Sequence, residues 1–214
     1  SRSERGGHFV SIAATNFEIA VTRVGGRTSL TLRGPETKAT MIECPPEEEW
    51  LAIRFRLGTF MPSLMPEGLR DHNDVTLPDA SSRSFWLNGS AWEYPGFDNA
   101  EDFVARLVQK GNVTREPAVD AVMRNEPSVQ SLRTAQRHFL RATGLTHRTV
   151  QQIERARHAT NLLRQGASIL DTVYDAGYFD QAHLTRSLKL LVGQSPAEIA
   201  RRTAQLSFLY KTEP

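Results

Sequence analysis

Two periodicities divide this chain. Up to about residue 57 apolar and polar positions alternate; from residue 98 onward apolar positions return every three or four residues. The alternating segments 9–14, 17–24, 28–33, 38–43 and 50–57 are rich in β-branched residues and predict strands. Gly25 and Gly26 stand between two of them and predict a hairpin turn. In the segment 50–57, Leu51, Ile53, Phe55 and Leu57 alternate with Ala52, Arg54 and Arg56, which predicts one buried face. The stretch 58–100 is dense in Pro, Gly, Asn, Ser and Asp; Met61, Leu64, Met65 and Leu69 are spaced for one short helix within it. Residues 98–110 predict a helix with Phe103 and Leu107 inward, ended by Gly111.

From there the pattern is helical throughout. A short helix over 116–124 is expected to stop before Pro127. Ser131 can cap a helix that Gly144 ends, and 146–165 reads as one long helix with Val150, Ile153, Ala156, Ala159 and Leu163 on a single face. A short helix over 169–176 precedes a turn at Gly177 and a strongly patterned helix. In that helix Asp180 is the cap, Leu184, Leu188 and Leu191 form the buried stripe, and Gly193 is the stop. Ser195, Pro196 and Glu198 form a capping box with proline at the first helical position; Ile199 and Leu206 continue that last helix.

The two glycine-stopped helices are echoes. Ser131 and Asp180, Ala135 and Leu184, Arg137 and Arg186, Phe139 and Leu188, and Gly144 and Gly193 are each 49 residues apart. Each copy follows a shorter helix across a turn, the layout of a helix-turn-helix. Each has an apolar back and a Gln/Arg front, and Arg and Gln can bond guanine and adenine edges bidentately in the major groove. The linking helix of about 20 residues would span about 30 Å, against roughly 34 Å between successive major grooves on one face.

Charge supports this division. Residues 1–110 carry 12 Lys/Arg against 15 Asp/Glu; residues 111–214 carry 14 against 9. Between 131 and 164 there are 7 Arg and a single acid, Glu154. Arginine-rich local charge beside an acidic half implies a polyanion-binding module joined to another domain. No apolar run is long enough to span a membrane and the first residues lack a signal-peptide core. A single cysteine, Cys44, forms no internal disulfide, so a cytoplasmic location is expected.

The stretches SLRTAQRHFLRATGLT, ERARHATNLLRQG and AGYFDQAHLTRSLKLLVGQSPAEI resemble the DNA-binding domain of AraC/XylS-type transcription regulators, over about residues 118–202. The resemblance implies two helix-turn-helix units joined by a long helix. It places base contacts on Arg133, Gln136 and Arg137 in the first reading helix (131–142). In the second (180–191) it places them on Gln181, His183 and Arg186, with Ala182 able to offer a methyl contact. Arg141, Arg148 and Lys189 are expected at phosphates. Two departures are visible: Val173 replaces a usual alanine, and Pro127 interrupts the first bracing helix, which implies a weaker first head. The segments RTSLTLRGPETKAT, WLAIRFRLGTFMP and VTLPDASSRSFWLNGSAWEYP resemble a β-rich sensor region found ahead of this domain, and the abrupt start of the chain suggests a missing upstream strand.

The fold class expected is therefore α+β. A β-rich regulatory domain (1–112), for effector sensing or dimerisation, precedes an all-α DNA-binding domain (113–214). Trp50, Arg54, Phe60, Trp86, Trp92 and Tyr94 are the candidates to line an effector pocket, the alternative being that the aromatics fill a core. The six histidines show no metal-ligand spacing, and Cys44 among acidic neighbours reads as inert. No catalytic or cofactor motif is present, so neither an enzyme nor a cofactor is expected. The partners expected are a double-stranded DNA operator, a small-molecule effector, a second copy in a homodimer, and RNA polymerase in the case of an activator. Alternatives are an N-terminal domain serving only as an interaction module, or an enzyme domain fused to a DNA-binding one.

Overall fold

The computed structural model describes residues 2–3, 7–44, 46–124, 126 and 131–201. In chain order these form β1 (Arg2–Ser3), β2 (Gly7–Ser11), β3 (Glu18–Val24), β4 (Arg27–Arg33), β5 (Thr40–Cys44), β6 (Glu48–Arg54), β7 (Thr59–Phe60), a 3₁₀ segment (Pro66–His72), β8 (Val75–Thr76), β9 (Asp79–Ser81), β10 (Ser84–Leu87) and β11 (Ser90–Glu93). Then follow α1 (Ala100–Gln109), β12 (Thr114–Arg115), α2 (Ala118–Met123), α3 (Leu132–Thr143), α4 (His147–Arg164), α5 (Ile169–Asp175), α6 (Gln181–Leu191) and α7 (Pro196–Ala200). The fold is α+β, strand-rich in its first part and helical in its second.

The described residues fall into two compact units that do not follow chain order: 15–35 and 46–147 with the first strand, and 7–14 with 36–44 and 148–201. The first unit is built on a five-stranded antiparallel sheet in the order β1-β6-β3-β4-β8. The β3–β4 hairpin turns through Gly25 (φ 55°) and Gly26 (φ 79°), a pair of positive φ values that two glycines supply without steric cost. Ile19, Val21, Leu30 and Leu32 project from this sheet onto Phe85, Leu87 and Trp92 of β10–β11 and Phe103 and Leu107 of α1. These last two are one helical turn apart, so α1 buries a single stripe.

Two expectations are modified here. Of the face predicted to be buried in 50–57, Phe55 is in the core and Leu51 and Ile53 pack against it, but Ala52 and Arg54 on the other face are half-buried too, Arg54 with its Nε 3.7 Å from Glu18 Oε2. The short helix expected near Leu69 is a 3₁₀ segment that Asp71 (φ 56°) leaves; Leu69 itself is fully buried. Both α2 and α3 belong to this first unit: α3 packs on α2, on β7 and on the 3₁₀ segment. Gly144, at φ 69°, ends α3 so close to that segment that a Cβ would lie 2.8 Å from the Pro66 carbonyl carbon.

The second unit joins the β2–β5 ladder, Gly7↔Cys44 to Ser11↔Thr40, to the helices α4 to α7. A buried hydrogen bond from Ser11 Oγ to Glu36 Oε2, 2.7 Å, ties the ladder to the segment that leads into β5. The main-chain N–H groups of Ala13 and Ala39 donate to the carbonyls of Leu191 and Leu190, both at 2.8 Å. Helix carbonyls in a last turn have no intrahelical partner; here the N-terminal segments satisfy two of them.

Candidate nucleic-acid interface

The first reading helix is set by its cap and its buried stripe. Ser131 Oγ accepts from the Thr134 N–H, 3.3 Å, and Ala135, Phe139 and Ala142 are buried. Phe139 is 1% exposed and its ring meets that of His147 edge-on, centroids 5.5 Å apart. This leaves Arg133, Gln136, Arg137 and Arg141 exposed on α3. The bracing helix α2 ends at Met123; Pro127, expected to interrupt this unit, lies outside the described residues.

α4 is one continuous helix of 18 residues, about 27 Å long at the helical rise. Val150, Ile153, Ala156, Ala159 and Leu163 are buried along it, as the periodicity predicts. Thr160 is buried on the same face, its hydroxyl donating to the Ala156 carbonyl at 2.8 Å. Arg148 is exposed in its first turn.

The second unit's reading helix is fixed more elaborately. Ser168 caps α5 by accepting from the Asp171 N–H, and Gly177 turns the chain at φ 66°. Tyr178 is then buried, its hydroxyl 3.0 Å from Ser187 Oγ and its ring edge-on to His183. The Arg155 guanidinium of α4 stands 5.7 Å from the same ring, a cation–π contact joining α4 to α6 through the turn. Burial pushes the Tyr178 phenol above its ordinary pKa, so it remains a neutral hydrogen-bonding group. Asp180 accepts from the His183 N–H at 2.6 Å, and Leu184, Leu188 and Leu191 are buried. Gln181, Ala182, Arg186 and Lys189 are left exposed; His183 is half-buried against Tyr178. Val173, the second departure, is half-buried and its carbonyl accepts from the Tyr178 N–H at 2.9 Å.

Ion pairing differs among the arginines: among the described residues Arg56, Arg83 and Arg106 of the strand-rich part have no carboxylate within 4 Å, and Arg157 of α4 lies 3.4 Å from Glu154. Arg23, Arg27, Arg33, Arg54, Arg70 and Arg115 each have a carboxylate within 4 Å. Among the described residues, Arg133, Arg137, Arg141, Arg148, Arg186 and Lys189 have none. The charge of these arginines is available to an outside anion, while that of Lys189 also acts on Glu198; uncommitted Lys/Arg charge is what phosphate neutralisation requires.

The effector candidates are dispersed. Trp92 is buried in the core beneath Arg106, whose guanidinium lies 5.2 Å from the ring centroid. Phe85 is its cross-strand partner, so Trp86, paired with Ala91, projects from the opposite face and is exposed. Phe60 is buried in β7, Trp50 is half-buried in β6, and Tyr94 donates to Asp79 Oδ1 at 2.7 Å. Of the six, Arg54 lines a groove, with Arg56 and Arg115.

Two features escaped the sequence reading. The hydrogen bonds from Ala13 and Ala39 to the end of α6 join positions more than 150 residues apart by main-chain atoms, for which residue types carry no signal. Phe179 is 91% exposed immediately before the Asp180 cap; the adjacent pair Tyr178-Phe179 was its signal, since a turn residue buried on one side leaves its neighbour facing out.

Among the described residues no helix is long and apolar enough to cross a membrane, and no cluster of three His, Cys, Asp or Glu side chains is arranged for a metal. A family model described as a helix-turn-helix domain matches residues 130–202. No curated protein and no solved structure gives a significant match.

Proposed function

We propose that this DNA-binding transcription regulator, whose helix-turn-helix domain at residues 130–202 is of the AraC/XylS type, reads its operator with α3 and α6 in successive major grooves. The matched family is one of DNA-binding regulators rather than enzymes. What supports the two-helix reading is ion pairing: among the described residues Arg133, Arg137, Arg141 and Arg186 have no carboxylate within 4 Å, whereas most arginines of the strand-rich part have one. Arg133, Gln136 and Arg137 on α3, and Gln181, His183 and Arg186 on α6, contact base edges in this reading. Arg141, Arg148 and Lys189 contact phosphates, which orient the protein without reading sequence. The strand-rich region senses a small molecule, in a cytoplasmic setting, and biases the DNA-binding state; an effector acts only by binding one state more tightly than another.

Selection of bound sequences from a random DNA pool tests this. Two short motifs about 10 base pairs apart are expected from two heads one helical turn apart. A single motif would remove one head from the reading, and no enrichment would remove both.

A further inference from the structure

An open groove of about 650 Å³ lies in the first unit, between the end of α1, the β7–β12 ladder and the loop that follows β6. Its apolar lining includes Phe55, Val113 and Val108. Val108 is 56% exposed, an uncovered aliphatic group on α1. Three arginines, Arg54, Arg56 and Arg115, share this lining and no acidic residue does. Two of the three are already engaged: Arg54 with Glu18, 3.7 Å, and Arg115 with Asp120, 2.6 Å. Arg56 is exposed and has no ion pair among the described residues. The lining thus offers an apolar wall, one uncommitted guanidinium, and a second held only by a partly exposed aspartate.

We infer that this groove binds a small organic acid, one carboxylate on an apolar body, with Arg56 and Arg115 at the carboxylate and Val108 and Phe55 against the body. Arginine presents a planar fork that bonds a carboxylate through two parallel N–H donors. A neutral ligand would leave Arg56 without a partner. With Arg56 and Arg115 at one carboxylate, a second carboxylate would find no open cation in the lining, because Arg54 is occupied by Glu18, which is buried and lies 3.9 Å from Arg33 as well.

The same groove is joined to the first reading helix. Gly58, in the loop between Arg56 and Thr59, accepts the Glu116 N–H at 2.9 Å just ahead of α2. A Cβ on Gly58 would lie 2.9 Å from that of Val119, which is fully buried in α2. Asp120, the partner of Arg115, is also in α2, and α2 and β7 both pack on α3. A carboxylate that draws Arg115 from Asp120 changes what holds α2, and through it α3. Coupling of this kind is reciprocal: operator DNA alters affinity for the acid by the same factor as the acid alters affinity for DNA. This inference rests on the reading that the strand-rich region senses a small molecule.

The test uses the full chain with 3-phenylpropionate and octanoate, and with 3-phenylpropionamide and octanamide as uncharged counterparts. Thermal shift and operator affinity are both measured. The acids are expected to raise Tm in a concentration-dependent way and the amides to leave it unchanged. Arg56→Gln and Arg115→Gln should each weaken the acid at least tenfold, while Arg83→Gln, exposed and outside the groove, should not. Absence of any shift with the acids, equal shifts with the amides, or unaltered binding by both groove variants would overturn the site. If an unrelated metabolite stabilises the chain and alters operator affinity while the acids do not, the groove assignment falls and the sensing reading stands. If the acids bind at Arg56 with operator affinity unchanged, the site stands and both the coupling and the sensing reading fall.

Discussion

The main-chain N–H of Ala39 donates to the carbonyl of Leu190 at 2.8 Å, so a residue from the first fifth of the chain completes the last turn of α6. Ala13 does the same for Leu191, and a Cβ on Gly193 would lie 3.0 Å from the Val10 side chain. The second unit's reading helix is therefore finished by β2, β5 and their flanks. Replacing Ala39 by proline removes the donor and leaves the Leu190 carbonyl without it. A loss of about 1–3 kcal/mol is expected from an orphaned backbone acceptor, seen as a lower Tm and faster amide exchange in the last turn of α6. Lys38→Ala, exposed beside it, should leave both unchanged.

Gly58 holds a second such junction. Its φ of +85° is open to glycine and strained for any other residue, and its face is filled by Val119. Gly58→Ala should cost about 1–3 kcal/mol from the backbone alone, with an added steric cost because the valine is fully buried. Gly68, which has nothing near a would-be Cβ and no positive φ, is the control. Equal effects of the two alanine variants on denaturant midpoint would show that the α2 junction is not tight.

At the start of α7 the Glu198 carboxylate accepts from the Ser195 N–H at 2.7 Å and from its hydroxyl at 2.6 Å. The Ser195 hydroxyl and main-chain bonds hold this carboxyl below its ordinary value of 4.5, helped by the charges of Lys189 and Arg201. Because the folded value is the lower one, the capping contribution is present above the unfolded pKa and is lost as pH falls through the folded one. Protection of the Ser195 amide, its exchange rate taken relative to the intrinsic rate at each pH, should therefore fall on acidification below about pH 4.5, and Glu198→Gln should remove that pH dependence while keeping an acceptor in place. A variant whose exchange retains the acid transition would assign it to another group.

These junctions mark where sequence reading succeeds and where it stops. Local signals were legible: the caps at Ser131 and Asp180, the capping box at Ser195, the glycine stops, and the Leu184–Leu188–Leu191 stripe depend on residues within one or two helical turns. The hairpin at Gly25-Gly26 was legible for the same reason. Long-range partnerships were not. That 7–14 and 36–44 belong with α4 to α7, while α2 and α3 belong with the large sheet, depends on main-chain hydrogen bonds and on close approach at Gly58 and Gly144, neither of which leaves a periodic trace. The six aromatic and arginine candidates for a pocket illustrate the same limit. Their types suit a ligand site, but whether Trp86 shares a face with Trp92 is decided by strand register, and Phe85 rather than Trp86 stands opposite Trp92.

The two reading helices begin differently. α6 begins at a cap bond of 2.6 Å, with Tyr178 under Arg155 beside it; α3, though packed on α2, β7 and the 3₁₀ segment, begins at a longer cap bond of 3.3 Å, at the end that carries Arg133 and Arg137. Ordering a side chain at a base edge costs less when its helix is already fixed. Arg186→Ala is accordingly expected to cost about 1–3 kcal/mol on the selected operator and little on random DNA, the mark of a base contact. Arg137→Ala should cost less on the operator than Arg186→Ala does. Arg141→Ala should weaken operator and random DNA alike and lower the salt slope by about one, the mark of a lost phosphate contact. Fluorescence anisotropy on both DNAs at several salt concentrations separates these outcomes. Equal operator-specific losses at Arg137 and Arg186 would mean that the shorter cap bond of α6 has no counterpart in recognition.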